Sequence, residues 1–165
     1  MDAAAQIASC FRRGGKLLAF GNGGSAAQAQ HLAAEFLGRL TRPRPALPAI
    51  ALSTDGVMLT SLANDFGFAS VFARQIEGLG EEGDVAIAIS TSGASSNVLE
   101  GAAAARRLGL GTVGLIGRPD SPLHELVDVP IVTPGGTPAH VQELHLTACH
   151  LLCELVEDEL FPDGG

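Results

Sequence analysis

Five short apolar runs recur along the chain, and their spacing constrains the fold more than any other feature. The runs are rich in aliphatic and β-branched side chains and do not alternate with polar residues. That pattern is typical of strands buried on both faces of a parallel sheet. The expected strands are Lys16–Phe20, Pro48–Ser53, Asp84–Ser90, Gly111–Gly117 and Val129–Pro134.

Segments with helical periodicity lie between these runs. In the first segment, for example, Leu32, Phe36 and Leu40 recur at four-residue spacing. Such alternation of strands and helices predicts one α/β domain over residues 1–165, a doubly wound parallel sheet with helices on both faces. The expected helices are Ser25–Leu40, Phe68–Leu79, Asn97–Leu108, a short piece at Ser121–Val127, and Pro138–Leu160.

The net charge of −8 over 165 residues limits the partners of the chain. Binding to nucleic acid or to an anionic membrane surface depends on many Lys and Arg contacts, so we expect neither partner. A small anionic substrate is still compatible with this charge, because backbone N–H groups at the start of a helix can hold a phosphate.

The cysteines and the apolar segments predict the compartment. Cys10, Cys149 and Cys153 are odd in number and form no CxxC pair, so we interpret them as small buried residues in a reducing cytosol. No apolar run approaches the roughly 20 residues of a membrane span. The N-terminal segment also lacks the pattern of a signal peptide. We therefore expect a soluble cytoplasmic protein.

Two loops have the composition of a phosphate site. Ligands of such sheets bind beyond the carboxyl ends of the strands, near the point where the strand order reverses. Gly21–Ser25 follows the first expected strand with three glycines, and Ser90–Asn97 follows the third with five hydroxyl side chains and no Lys or Arg. Both loops open a helix, where free amides and the helix dipole favour an anion.

Other interpretations of these loops are weaker. The first loop is neither GxGxxG nor a Walker motif, and STSG is not the GxSxG turn of a nucleophilic serine. A tight strand-to-helix turn without a ligand remains the structural alternative for both loops.

A second group of polar residues could perform chemistry. His31 and Glu35 are four residues apart and share one helix face. Gln142 and His150 are eight apart, about 12 Å of helix rise and about 80° of rotation, so their side chains could converge. Nitrogen and oxygen donors of this kind suit zinc. Each pair could instead be a surface hydrogen bond or a satisfied buried polar group. We interpret His145 as a histidine that packs in the core or supports the ligand residues from behind.

Four segments together carry a resemblance to a known family. GNGGSAAQAQHLAAEF, the loop segment SLANDFGF, AISTSGASSNV and VQELHLTACHLLCELVE resemble the sugar isomerase (SIS) domain family, and within it the phosphoheptose isomerases. The resemblance runs from about Gly15 to Leu160. It implies a flavodoxin-like five-stranded parallel sheet and a homotetramer with active sites at the subunit interfaces.

The resemblance also implies a reaction and the residues that perform it. The reaction would convert D-sedoheptulose 7-phosphate to D-glycero-D-manno-heptose 7-phosphate through an enediol, with Glu35 and His150 as acid and base. One Zn²⁺ per subunit would be held by His31, Glu35, Gln142 and His150. The implied substrate contacts are Asn22, Gly23, Gly24, Ser25, Glu35, Arg39, Asn64, Asp65, Ser90, Thr91, Ser92, Ser95 and Gln142.

The chain departs from the family pattern in three places. Ala94 stands where the family's STSGNS has Asn, and Ala139 and His140 replace residues that are often charged. The family's N-terminal helix is expected to be short or missing.

Two other functions are alternatives. A non-catalytic branch of the family binds the bacterial replication initiator protein, and the segment LLCELVEDELFPDGG resembles the C-terminal tail of that branch. That branch lacks the acid and base residues, whereas Glu35 and His150 are both present here. A third hypothesis is a domain that only senses a sugar phosphate.

Overall fold

All five expected strands form one parallel sheet in the computed structural model, which describes residues 2–133 and 135–162. The order across the sheet is β2-β1-β3-β4-β5, which confirms the predicted doubly wound fold. The expected end of the fifth strand, Pro134, lies outside the described residues. The strands are β1 (Leu17–Gly21), β2 (Ala49–Ala51), β3 (Val85–Ser90), β4 (Gly111–Ile116) and β5 (Val129–Val132).

Helices connect the strands and cover both faces of the sheet. In the described part of the chain, no helix is long and apolar enough to cross a lipid bilayer. The helices are α1 (Ala3–Arg12), α2 (Gly24–Leu37), α3 (Gly56–Phe66), α4 (Val71–Leu79), α5 (Ser96–Arg107), α6 (Pro122–Leu126) and α7 (Pro138–Leu160), with a 3₁₀ turn at Phe68–Ser70.

Alternating side chains of each strand supply two separate cores. Leu17 and Ala19 point to the core formed with α1, α2 and α7, and Leu18 and Phe20 point to the core formed with α4, α5 and α6. The two cores explain why the strands read as unbroken apolar runs, since both faces of the sheet are covered.

Two helices were not predicted. Asp2 caps α1 by accepting a hydrogen bond from the backbone N–H of Ala5, and Asp55 caps α3 in the same way. The segment SLANDFGF was therefore interpreted wrongly as a loop, because Ser61–Phe66 belongs to α3. No residue of α3 is buried. A helix that buries no face needs no apolar stripe, and such a stripe is the pattern by which helices are recognised in a sequence.

Candidate active site

The two glycine- and hydroxyl-rich loops meet where the order of the strands reverses. β1 and β3 are neighbours in the sheet, so Gly21–Ser25 and Ser90–Asn97 leave the same edge side by side. Asn22 Nδ2 donates to Asn97 Oδ1 at 2.8 Å, and Asn97 Nδ2 donates back to Asn22 Oδ1 at 2.8 Å. This reciprocal pair ties the first loop to the start of α5.

A small polar cavity of about 100 Å³ lies between the two loops. Ser95 is the N-cap residue of α5, but its hydroxyl makes no capping hydrogen bond and is available to a ligand. Ser90 and Ser92 accept hydrogen bonds from the backbone N–H groups of Gly93 and Ala94, which shape the loop. The lining residues are Asn22, Ser25, Ile89, Ser90, Thr91, Ser92, Ser95 and Gln142.

A second cavity of about 370 Å³ adjoins the first, and the two share Thr91 and Ser92. Its far wall is the segment before α7 together with the residues that follow β4, including Arg118. The combined space is larger than a phosphate needs and leaves room for the remainder of a substrate.

A cluster of three ionisable side chains lies between α2 and α7. His31 Nε2 is 2.8 Å from His150 Nε2 and 3.4 Å from Glu35 Oε1. Potential ligand atoms of all three residues lie within 4.8 Å of one another. The structure therefore brings together three of the four residues that the resemblance implies for the metal site.

The cluster has the chemistry and the dimensions of a metal site. Two ligand atoms bound to a tetrahedral zinc at about 2.0–2.1 Å are roughly 3.3 Å apart. The separation of His31 and Glu35 matches that value, and the two imidazole nitrogens would need to part by only about half an ångström. Two imidazoles and one carboxylate are therefore placed so that they can converge on such a cation.

Gln142 lies at the other end of the α2–α7 contact. A Cβ built on Gly24 would come 2.5 Å from Gln142 Oε1, so a side chain at this position would push the Gln142 amide out of its place. Gln28, buried on α2, donates to the backbone carbonyl of Gln142. The amide of Gln142 also lines the small cavity, and its role as a metal ligand stays a prediction.

Three of the implied substrate residues lie away from both cavities. Arg39, Asn64 and Asp65 are exposed and line neither cavity. Arg39 follows the end of α2, and the Asn64 amide donates to the Asp65 carboxylate at 2.8 Å on α3. Of the remaining residues, Gly23 and Gly24 lie in the first loop beside the small cavity, exposed at the start of α2.

Several residues that shape the site were not predicted. Asn97 and Gln28 act through hydrogen bonds to Asn22 and Gln142. Arg44, in the segment between α2 and β2, binds Glu157 of α7 inside the protein. The loop that carries Asn97 was recognisable from its hydroxyl groups, but no spacing rule could connect Arg44 with a residue more than a hundred positions away.

The chain matches known proteins over most of its length. Residues 1–117 match the SIS domain family. A phosphoheptose isomerase from Roseiflexus sp. (strain RS-1) is 51% identical over 160 residues, which cover 97% of this chain and 81% of the relative.

Solved structures agree with the sequence matches. The structure of a phosphoheptose isomerase from Neisseria gonorrhoeae superposes with a TM-score of 0.88 at 40% identity, covering 94% of this chain and 83% of that one. One from Francisella tularensis gives a TM-score of 0.90 at 36% identity, with the same coverage of both chains.

His145 on α7 is fully buried, and neither ring nitrogen has a hydrogen-bond partner among the described residues. Burial lowers the pKa of His145, and the nearby Ile116 carbonyl opposes this only in part. The folded protein therefore holds this imidazole neutral, as expected of a packing histidine.

This burial predicts a pH-dependent stability. An unfolded imidazole takes up a proton near pH 6.5, whereas His145 resists protonation in the folded state, so the free energy of unfolding should fall as pH drops below about 6.5. The His145→Leu variant should show a smaller fall between pH 7.5 and 5. Urea titrations with a chelator present measure this effect, with exposed His140→Gln as the control. Identical pH profiles for wild type and His145→Leu would contradict the prediction.

Proposed function

Because the chain belongs to the SIS domain family, we propose that it is a phosphoheptose isomerase, which converts D-sedoheptulose 7-phosphate to D-glycero-D-manno-heptose 7-phosphate. The observation that carries the proposal is the contact of His31, Glu35 and His150 between α2 and α7, the two helices that also help to line the hydroxyl-rich cavity. An aldose–ketose isomerase needs both parts, since one set of groups must move protons while another holds the phosphate.

Glu35 and His150 are the groups proposed to move protons. The reaction takes a proton from C1 of the ketose, returns one to C2, and exchanges protons between the two oxygens. Glu35 is partly shielded from solvent, with 21% of its side chain exposed. We assign to its carboxylate the transfer of the proton from C1 to C2. The imidazole of His150 can donate and accept at the oxygens, because one ring nitrogen can carry the proton while the other stays free.

Zinc is the proposed cofactor, held by His31, Glu35 and His150 with Gln142 as a fourth ligand. The donor set supports this choice, since imidazole and carboxylate ligands suit a borderline cation. When bound, the ion would polarise the carbonyl group of the substrate and stabilise negative charge on its oxygens. Glu35 cannot be a tight ligand and a free base at once, so we expect it to coordinate weakly.

The phosphate is proposed to bind at the Ser90–Asn97 loop. Backbone amides at the start of α5 and the unused hydroxyl of Ser95 can donate hydrogen bonds to its oxygens. No Lys or Arg lines the small cavity, so neutral dipoles supply the attraction. Gln142, which lines this cavity, lies on α7, the helix that also carries His150.

A homo-oligomer, specifically a tetramer with active sites at the subunit interfaces, is also proposed. Helix α3 exposes apolar side chains, with 79% of Val57 and 53% of Phe66 accessible. On α7, Leu151 and Leu155 are similarly exposed. A second copy covering α3 would bring Asn64 and Asp65 to a neighbouring active site, which accounts for their distance from the cavities.

The proposed location is the cytoplasm. All three cysteines are free and buried, as expected in a reducing compartment.

The two alternative functions, binding a replication initiator protein and sensing a sugar phosphate, require no carboxylate beside two imidazoles. The described residues offer no observation that favours either alternative.

Glu35→Gln should lower kcat by about 10² to 10⁴-fold, because the amide keeps the size of the side chain but cannot accept the proton. A coupled assay with sedoheptulose 7-phosphate measures the loss, and circular dichroism checks the fold. Exposed Glu154→Gln on α7 is the control and should retain activity. Turnover of Glu35→Gln within a few-fold of wild type would show that Glu35 is not the base.

Thr91→Val and Ser95→Ala should each raise KM for the phosphorylated sugar. One lost hydrogen bond to a charged acceptor is worth about 1.5–3 kcal/mol, which corresponds to a change of at least tenfold. Steady-state kinetics and melting temperatures would be compared with those of Thr147→Val on the exposed side of α7. If the KM values stay unchanged, the phosphate does not bind at this loop.

The purified protein should bind about one zinc ion per subunit. Zinc should raise the melting temperature by mass action, and its binding should weaken on acidification because a protonated imidazole has no free lone pair. Metal analysis and chelator titration of wild type and His150→Ala measure both effects, with His140→Ala as the control. A wild-type protein without zinc uptake, thermal shift or chelator sensitivity would disprove the metalloenzyme proposal.

A further inference from the structure

A buried ion pair joins the segment after α2 to the far half of α7. Arg44 Nε donates to Glu157 Oε1 at 2.8 Å, and the two side chains are 0% and 1% exposed. The same Glu157 oxygen accepts from the backbone N–H of Leu40 at 3.2 Å. Glu157 therefore holds two points of the chain that follows α2.

The guanidinium group of Arg44 also caps the end of α2. Its Nη2 donates to the backbone carbonyl of Glu35 at 2.8 Å, and its Nη1 donates to the carbonyl of Phe36 at 2.8 Å. Further bonds reach the carbonyls of Gly38 at 3.3 Å and Pro45 at 3.0 Å. A cation at this end of a helix also interacts favourably with the helix dipole.

The pair lies in line with the cluster of His31, Glu35 and His150. Glu157 is seven residues after His150, or two helical turns, so both project from one face of α7. On α2, the carbonyl that Arg44 binds belongs to Glu35 itself. Arg44 and Glu157 thus connect the backbone of Glu35 to α7, the helix that carries His150. Along α7, the rise from His150 to Glu157 is about 10 Å.

Stability alone does not account for this arrangement. Removing two charges from water is costly, and apolar residues of similar volume are often at least as stable in the same place. Glu157 Oε2 is also buried without a hydrogen-bond partner in the described chain, which adds to the cost. What an apolar pair would lack is the directional set of bonds to the carbonyls at the end of α2.

We propose that Arg44, paired with Glu157, is a positioning residue that sets α2 against α7 and so holds Glu35 at the distance from His150 that metal binding and proton transfer require. The proposal rests on the proposed function for its activity readout, but the placement of the helices can be measured without it.

The test is the double variant Arg44→Met/Glu157→Leu, which removes the charges together and leaves no unpaired partner. We expect its melting temperature to stay within a few degrees of wild type. Its zinc affinity, measured by competition with a chromophoric chelator, should fall about 10- to 100-fold, the usual effect of removing an outer-shell partner. We expect kcat to fall similarly, with KM changed less than threefold.

The matched control is Arg12→Met/Glu159→Leu. Arg12 also donates to a glutamate carboxylate and to a backbone carbonyl of α7, both at 2.8 Å, but it ties α7 to α1. This variant should keep wild-type zinc affinity and kcat. Equal losses in both double variants would show a general effect of loosening α7 and would overturn the proposal.

The result for the folded variant, or for its substitute, decides the proposal. A folded Arg44→Met/Glu157→Leu variant with wild-type zinc affinity and kcat would show that the pair is only structural. If that variant does not fold, Arg44→Lys takes its place, because lysine keeps the charge but lacks the fork that reaches several carbonyls. Its zinc affinity should then fall at least several-fold, and an unchanged affinity would overturn the proposal.

If wild type binds no zinc, the proposed cofactor fails. The positioning role is then judged from crystal structures of wild type and the folded variant, where α2 must shift relative to α7. Helices that stay in place would refute the positioning role.

Discussion

The packing of α2 against α7 is the interaction on which the candidate site depends. The two helices run in the same direction and meet at three successive levels, which are seven or eight residues apart on α7 and closer together on α2. The levels are Gly24 and Gln28 with Gln142, His31 with His150, and the end of α2 with Arg44 and Glu157. Because all three levels lie along the same pair of helices, one displacement of α2 against α7 would disturb all three.

The sheet and the helix pair make different contributions to the site. The sheet brings two loops together at the reversal of strand order, where neutral amides and hydroxyls face a small cavity. The helix pair contributes ionisable groups, a carboxylate and two imidazoles. This division keeps Lys and Arg side chains out of the small cavity.

The success of the sequence-based predictions follows the strength of the local signals. The three central strands were predictable because both of their faces are buried and every residue in them is apolar or small. Helix α7 was predicted with its observed ends, since Thr137 caps a start marked by Pro138. Helix α3 was missed because its apolar residues face outward as well as inward and show no single stripe.

The sequence by itself determined the order of strands and helices, the two loops suited to a phosphate, and the pairing of His31 with Glu35. Each of these follows from short-range spacing, which fixes the helix face or the strand end on which a side chain lies. Only the tertiary structure decided that His150 meets that pair, that Gln142 fits against Gly24, and that Arg44 reaches Glu157. These contacts join residues far apart in the chain, and their distances depend on how two helices pack over a sheet, which no local pattern encodes.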